Sequence, residues 1–174
     1  MSGIISDNVG RSSGLLKAAG GGGKIGQVVQ TLKTDTFSTT STSPDAVTGL
    51  SVDITPVATS SKILINVCFG SFNSRYGQNY IYATISGGNA ATYIGDAATG
   101  HEAAMGTLSG GSDNYSQQGG NSMMYLDSPS TTSEVTYQVN IWGPAYTMII
   151  NGPQTTRTTS WNAASTIVAM EVLA

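Results

Sequence analysis

The residues in this chain that could do chemistry are few and far apart. His101 is the only histidine, and the acids nearest to it in sequence are Glu102 and Asp96. One imidazole with two carboxylates could hold a cation weakly, but a multi-histidine metal centre is excluded. The same trio suits an exposed polar loop, and that is the reading adopted. Asp113-Asn114 lacks the Asp/Asn ladder and terminal Glu of a calcium loop. Many serines could be drawn beside His101, but no Gly-x-Ser-x-Gly elbow supports a nucleophile. The ten acids are scattered, with no spacing that marks a catalytic carboxylate pair.

Gly20-Gly-Gly-Gly23 is followed by Lys24 and then Ile25. A phosphate cradle needs spaced glycines ending in Gly-Lys-Ser/Thr, so nucleotide binding is not indicated. Four consecutive glycines act instead as a linker or a sharp turn. Cys68 is the only cysteine, which rules out a disulfide within the chain. It lies in Lys62-Ile-Leu-Ile-Asn-Val-Cys-Phe69 with no histidine nearby, and reads as a small buried hydrophobe. Tyr76, Tyr80, Tyr93 and Tyr115 recur in or near a stretch rich in Gly, Ser, Asp, Asn and Gln. Tyrosine in that company suits a glycan- or protein-binding loop and suits a solvated loop equally. If a receptor is bound, Tyr76, Tyr93 and Tyr115 are the candidate contacts.

The elements that would position these residues are strands. The clearest signal is Tyr125 to Trp142. Val135, Tyr137, Val139 and Ile141 fall on one face, with Glu134, Thr136, Gln138 and Asn140 on the other. Period two with β-branched and aromatic residues marks a strand buried on one side. Asp127-Ser-Pro-Ser130 before it is a turn sequence, and Met123 to Leu126 is apolar, so the segment predicts a strand–turn–strand ribbon. Ile25 to Phe37 predicts a first strand or pair. Leu50, Val52 and Ile54 alternate in a second that Pro56 ends. Lys62 to Phe69 predicts a central strand, apolar on both faces. Tyr80 to Ser86 is closed by the turn signal Gly87-Gly88-Asn89. Residues 95–121 read as long loops with one short strand. Ala145 to Asn151 and Thr166 to Leu173 complete the set, the last placing Val168, Met170 and Val172 on one face. About eight strands with no long helix predict an all-β fold: an antiparallel β-sandwich, jelly-roll-like.

The 174 residues suit one domain with an appendage. Charged residues make up only 10% and the net charge is −3. No basic run offers a phosphate-binding footprint, so nucleic acid is not an expected partner. No apolar stretch approaches the length of a bilayer span, and the N-terminal stretch does not read as a secretory signal. Serine, threonine, glycine and asparagine replace the usual charges, which suits a protein packed against copies of itself or working in salt. Residues 1–24 differ from the rest. Ile4, Ile5, Val9, Leu15 and Leu16 are too few and too interrupted for a core, but suit an arm that orders on another surface. With Arg11 they are the candidate anchoring residues. The expected division is an arm and glycine linker over residues 1–24 and a β-sandwich domain over residues 25–174.

Three stretches carry a resemblance. Tyr125-Leu-Asp-Ser-Pro-Ser-Thr-Thr-Ser-Glu-Val-Thr-Tyr-Gln-Val is similar to a segment of small β-rich structural proteins of tailed, mainly aquatic, bacteriophages. So are Gly26-Gln-Val-Val-Gln-Thr-Leu-Lys-Thr-Asp-Thr-Phe-Ser-Thr-Thr-Ser-Thr-Ser43, running on through Thr48-Gly-Leu-Ser-Val-Asp-Ile-Thr-Pro56 to Thr59-Ser-Ser-Lys-Ile-Leu-Ile65, and Ala164-Ser-Thr-Ile-Val-Ala-Met-Glu-Val172. The pattern Ser-Gly-Ile-Ile, then Ser-Gly-Leu-Leu-Lys, is similar to short leaders on such proteins. Residues 66–121 do not match in detail. The resemblance implies a non-enzymatic virion protein without a cofactor, assembled in the host cytoplasm. Its expected role is capsid decoration (cement or head fibre) on the outer head surface, as a homotrimer held to the major capsid protein or another virion protein by its arm. The alternative is a short tail fibre that contacts host-surface glycan.

Overall fold

Alternation of apolar and polar residues, broken by glycine, proline and asparagine, divides the chain into strands. The computed structural model describes residues 24–74, 81–89, 95, 103–108, 118–144, 146–152 and 162–173. Ten strands lie among them: β1 (Lys24–Lys33), β2 (Phe37–Thr39), β3 (Asp45–Ile54), β4 (Lys62–Ser74), β5 (Ile81–Ser86), β6 (Gly106–Leu108), β7 (Gln118–Asp127), β8 (Val135–Trp142), β9 (Met148–Ile150) and β10 (Ser165–Leu173). Among the described residues no helix is long and apolar enough to cross a membrane.

All the pairings are antiparallel, and they make two sheets. In the larger, β4 has β10 along one side and β7 along the other, with β1 outside β10. Past the end of β10, the short β9 takes over the same side of β4, and β2 lies outside β9. The smaller sheet runs β3-β8-β5-β6. Inward side chains of both sheets form one buried cluster, including Val52, Ile65, Phe69, Ile85, Val139 and Ile167. The expected all-β, antiparallel sandwich is therefore the fold. Strands pair in a nested order: β1 with β10, β2 with β9, β3 with β8, β4 with β7, β5 with β6.

The two strands expected between Tyr125 and Trp142 are present, but they do not form a ribbon. β7 ends at Asp127 beside β4, and β8 begins at Val135 between β3 and β5. The turn carries the chain from one sheet to the other. Each strand's alternation faces the same core from opposite sides, and alternation alone cannot say which neighbour a strand takes. In β10, Val168, Met170 and Val172 share a face as expected, but it is the outer one. Ser165, Ile167, Ala169 and Glu171 point inward and are buried.

Two of the buried polar groups explain that choice. Glu171 is fully buried. Its carboxylate accepts from the Gln27 amide at 2.8 Å and from the Val57 N–H at 2.7 Å. Gln27 also donates to the Thr55 carbonyl at 2.6 Å. One acid thus fastens the β3–β4 connection and β1 onto β10. Burial opposes its ionisation, but the bonds from Gln27 and Val57 outweigh it and hold the carboxyl below its ordinary value.

Asn151 does the same work at the junction of β9 and β10. It is buried and sits in the left-handed region at φ 64°. Its N–H donates to the Ser71 carbonyl at 3.0 Å, and its amide donates to the Lys33 carbonyl at 2.9 Å. Its side-chain oxygen accepts from the Ser165 hydroxyl at 2.6 Å, whose oxygen accepts from the Gly70 N–H at 3.1 Å. β1, β4, β9 and β10 are pinned at one residue.

Two expected outcomes follow from these junctions. Asn151→Ala should lower unfolding stability by about 3 kcal/mol in a urea titration, because it strands several buried groups. Asn151→Gly should lose about 1 kcal/mol less, since glycine accepts the left-handed backbone freely. For Glu171 the depressed folded pKa means its contribution is fully present above the unfolded value and is lost as pH falls through the folded one. Glu171→Gln should therefore destabilise at pH 7, and urea midpoints of mutant and parent should converge as pH drops below the ordinary carboxylate range.

Candidate functional site

The anchoring candidates Ile4, Ile5, Val9, Arg11, Leu15 and Leu16 lie outside the described residues, as do the receptor candidates Tyr76, Tyr93 and Tyr115. The same holds for Tyr80, Asp96, His101, Glu102, Asp113 and Asn114. Cys68 is described, and its expected burial is wrong: the side chain is exposed. Its neighbours Val67 and Phe69 take the inward positions on β4, which forces Cys68 outward. Among the described residues, no three His, Cys, Asp or Glu side chains gather as a metal site would require.

One acidic cluster does form, at the end of β7. Asp127 and Tyr137 are both fully buried, and the Tyr137 hydroxyl donates to the Asp127 carboxylate at 2.6 Å. Tyr125 donates to the other oxygen at 3.3 Å, and the Asn89 N–H reaches both oxygens at 3.2 Å and 3.3 Å. The turn signal Gly87-Gly88-Asn89 is what brings that N–H down. Gly88 has φ +51°, and a Cβ there would collide with the Asp127 carboxylate. Burial pushes the Tyr137 phenol well above its usual value, and the hydrogen bond to Asp127 raises it further. The phenol stays a proton donor. A phenol–carboxylate pair has acid–base character in principle, but this one is sealed from solvent on both partners. It joins β7 of one sheet to β8 of the other and acts as a fastener.

The surfaces that distinguish this molecule are the outer faces of its sheets, and the two differ in character. On the smaller sheet the outer face is largely polar: Thr136 donates to Asp53 at 2.6 Å, Asn140 to Ser86 at 2.9 Å, and Gln138 to the carbonyls of Val47 and Leu50, with the Tyr82 and Trp142 rings packed at one end of it. On the larger sheet it is mostly apolar. The register aligns Val28, Met170, Leu64 and Leu126 in one row across all four long strands. Ile25 and Val172 lie with Lys62 in the row to one side, Val168 and Met124 with Gln30 and Asn66 in the row to the other, and Leu32 and Cys68 with Thr166 and Ser122 in the row beyond. Val28 and Leu32 are each 57% exposed and Met124 65%. Sequence reasoning missed this face. Its signal was present in the apolar outer triplet of β10 and in Leu64; the strand from Lys62 to Phe69, expected to be apolar on both faces, turns Lys62 and Asn66 outward as well.

No family model and no curated protein matches the chain. Among solved structures, it is similar to a chain in the structure of infectious bursal disease virus Gx strain at 14% identity and a TM-score of 0.33, covering 86% of this chain and 40% of that one. The Gt strain structure gives 13% identity and a TM-score of 0.28, with 84% and 40% covered. This chain thus spans well under half of the chains it matches. A likeness at that level carries no argument about function.

The fastener makes a direct prediction. Tyr137→Phe keeps the ring and removes the donor, leaving a buried carboxylate short of one strong bond. It should cost about 2–3 kcal/mol of stability, read as a lowered urea midpoint with an unchanged slope. Tyr125→Phe, at longer range and half-buried, should cost less than half as much.

Proposed function

We propose that this chain is a structural protein of a virion, and that its role is to decorate a phage capsid on the outer head surface. The observation that carries this reading is the two-faced sandwich. One outer face carries a polar hydrogen-bonded network, and the other carries nine apolar side chains on four strands, with one row apolar throughout. Such a unit is suited to packing against neighbours in an assembly, not to processing a small substrate. The low charge supports the same reading, because contacts without charge are insensitive to the salt around a released particle. The stretches that carry the sequence resemblance belong to the frame of the sandwich: β1, β3, β4, β7, β8 and β10.

In this reading the protein is not an enzyme and needs no cofactor. Residues 1–24 bind the major capsid protein or another virion component, with Ile4, Ile5, Leu15 and Leu16 entering apolar recesses on the partner. The β-domain stands outside and contacts other copies of itself.

A specific antibody on intact particles, viewed by electron microscopy, tests the reading. Label spread over the head is the expected result. Label confined to the tail would replace decoration by a tail-fibre role, with Tyr76, Tyr93 and Tyr115 the residues to mutate for loss of adsorption. No label on purified virions would remove the virion reading altogether. Full-length protein carrying Ile4→Ser, Ile5→Ser, Leu15→Ser and Leu16→Ser should keep its urea midpoint but fail to co-purify with particles.

A further inference from the structure

We infer that the outer face of the larger sheet is the surface through which copies of this chain associate. The inference refines the structural-protein reading and rests on it in one respect, that the protein works as a repeated unit. The argument begins with the positions that β1, β10, β4 and β7 turn outward. Ile25, Val28, Leu32, Leu64, Met124, Leu126, Val168, Met170 and Val172 are all among them; Gln30, Asn66, Thr166 and Ser122 are the uncharged polar side chains between and beside them, and Lys62 is the single charged one. Four strands about 4.8 Å apart, each giving roughly seven residues at about 3.3 Å, make a flat footprint on the order of 450 Å². A standard interface takes about 800 Å² from each partner. The face therefore supplies the apolar centre of such an interface before side-chain relief and rim are added.

The chemistry of the face identifies the occupant. A partner recognised by charge would need charges to meet, and this face offers one. A lipid surface would be expected to draw a basic rim, which is lacking among these positions. The chain's own residues 1–23 bring Ile4, Ile5, Val9, Leu15 and Leu16, too few to cover nine aliphatic side chains. A second copy brings an equal apolar area with no like-charge repulsion at its centre, and the same patch on both partners is the usual form of a closed contact. Face-to-face packing of two such sheets places them about 10 Å apart, as in the interior of a sandwich. The outer face of the smaller sheet, by contrast, bonds Thr136, Gln138 and Asn140 to its own residues.

Cys68 lies on the apolar face and is exposed in the single chain, so it reports on cover without any substitution. The experiment uses the full chain. Sedimentation from low to high micromolar concentration should show association, and reaction of Cys68 with a thiol reagent should slow as the associated form fills. Val28→Lys with Met124→Lys places charges at both margins of the face, where the side chains are more than half exposed. The pair should weaken association about a hundredfold or more and restore fast labelling. Val28→Thr with Met124→Thr keeps strand preference and should act in the same direction if the lysine variant folds poorly. Thr136→Lys, on the polar face, should leave association unchanged.

A full chain that stays monomeric with a reactive Cys68 would overturn the inference. So would a monomer with a protected Cys68, which would mean that the chain covers its own face. Association untouched by either paired variant, or abolished by Thr136→Lys, would place the contact elsewhere and overturn it too. None of these results depends on where antibody binds the particle, so the face and the virion role fail separately.

Discussion

A carboxylate closed inside a protein must be given donors, and those donors dictate what surrounds it. Asp127 takes one from β8, one from its own strand and one from the turn after β5. That requirement draws three separated segments to one point between the sheets. Tyr137 has to reach across the core, which sets the spacing of the sheets at that end. Asn89 has to come down over the carboxylate, which only glycine at position 88 permits. Removing both the acid and its phenol for apolar residues of similar shape is a milder change than removing either, because the cost lies in the unmatched partner.

Glu171 and Asn151 apply the same rule at the other side of the larger sheet. Each is buried and each is bonded to segments distant in sequence. Together with Asp127 they define the register of a sheet that hydrophobic contact alone would leave loosely specified, since β4 and β10 carry apolar residues on both faces. A one-residue slip of β10 would bring Val168 and Met170 inward with little loss of apolar burial. It would also expel Glu171 and Ser165 from their partners. The polar residues thus decide which apolar face looks inward and which is left outward.

That division explains how far the sequence could be read. The strand of Val135, Tyr137, Val139 and Ile141 was legible because its two faces differ sharply, and Pro56 and Gly87-Gly88-Asn89 marked real ends. The antiparallel, all-β character followed from the same signals. Pairing was not legible: β7 and β8 are close in sequence, but alternation holds no record of the partner strand. The outward turn of Val168, Met170 and Val172 was hidden for a related reason, because an apolar triplet looks the same on a core face and on an interface. Cys68 went outward with that face. Of the candidate site, the apolar sheet surface escaped notice because it is made of ordinary strand residues brought together by register across four strands. The tyrosine and arm candidates stood out by local composition, and they lie outside the described residues.

The nested pairing also bears on how the chain reaches this state. β5 and β6 are separated by the nineteen residues 87–105, but β1 waits for β10, almost the whole domain away in sequence. Contacts of such separation make folding slow. On the ribosome, β1 would be among the first strands to emerge and the last to find its partner. Until Ile167 and Ala169 are made, Val29 and the β10 side of β4 lack their neighbour, and the nascent domain holds open sheet edges that invite wrong pairing. A chain produced in many copies within a short interval would therefore gain from anything that delays contact between neighbours until synthesis is done.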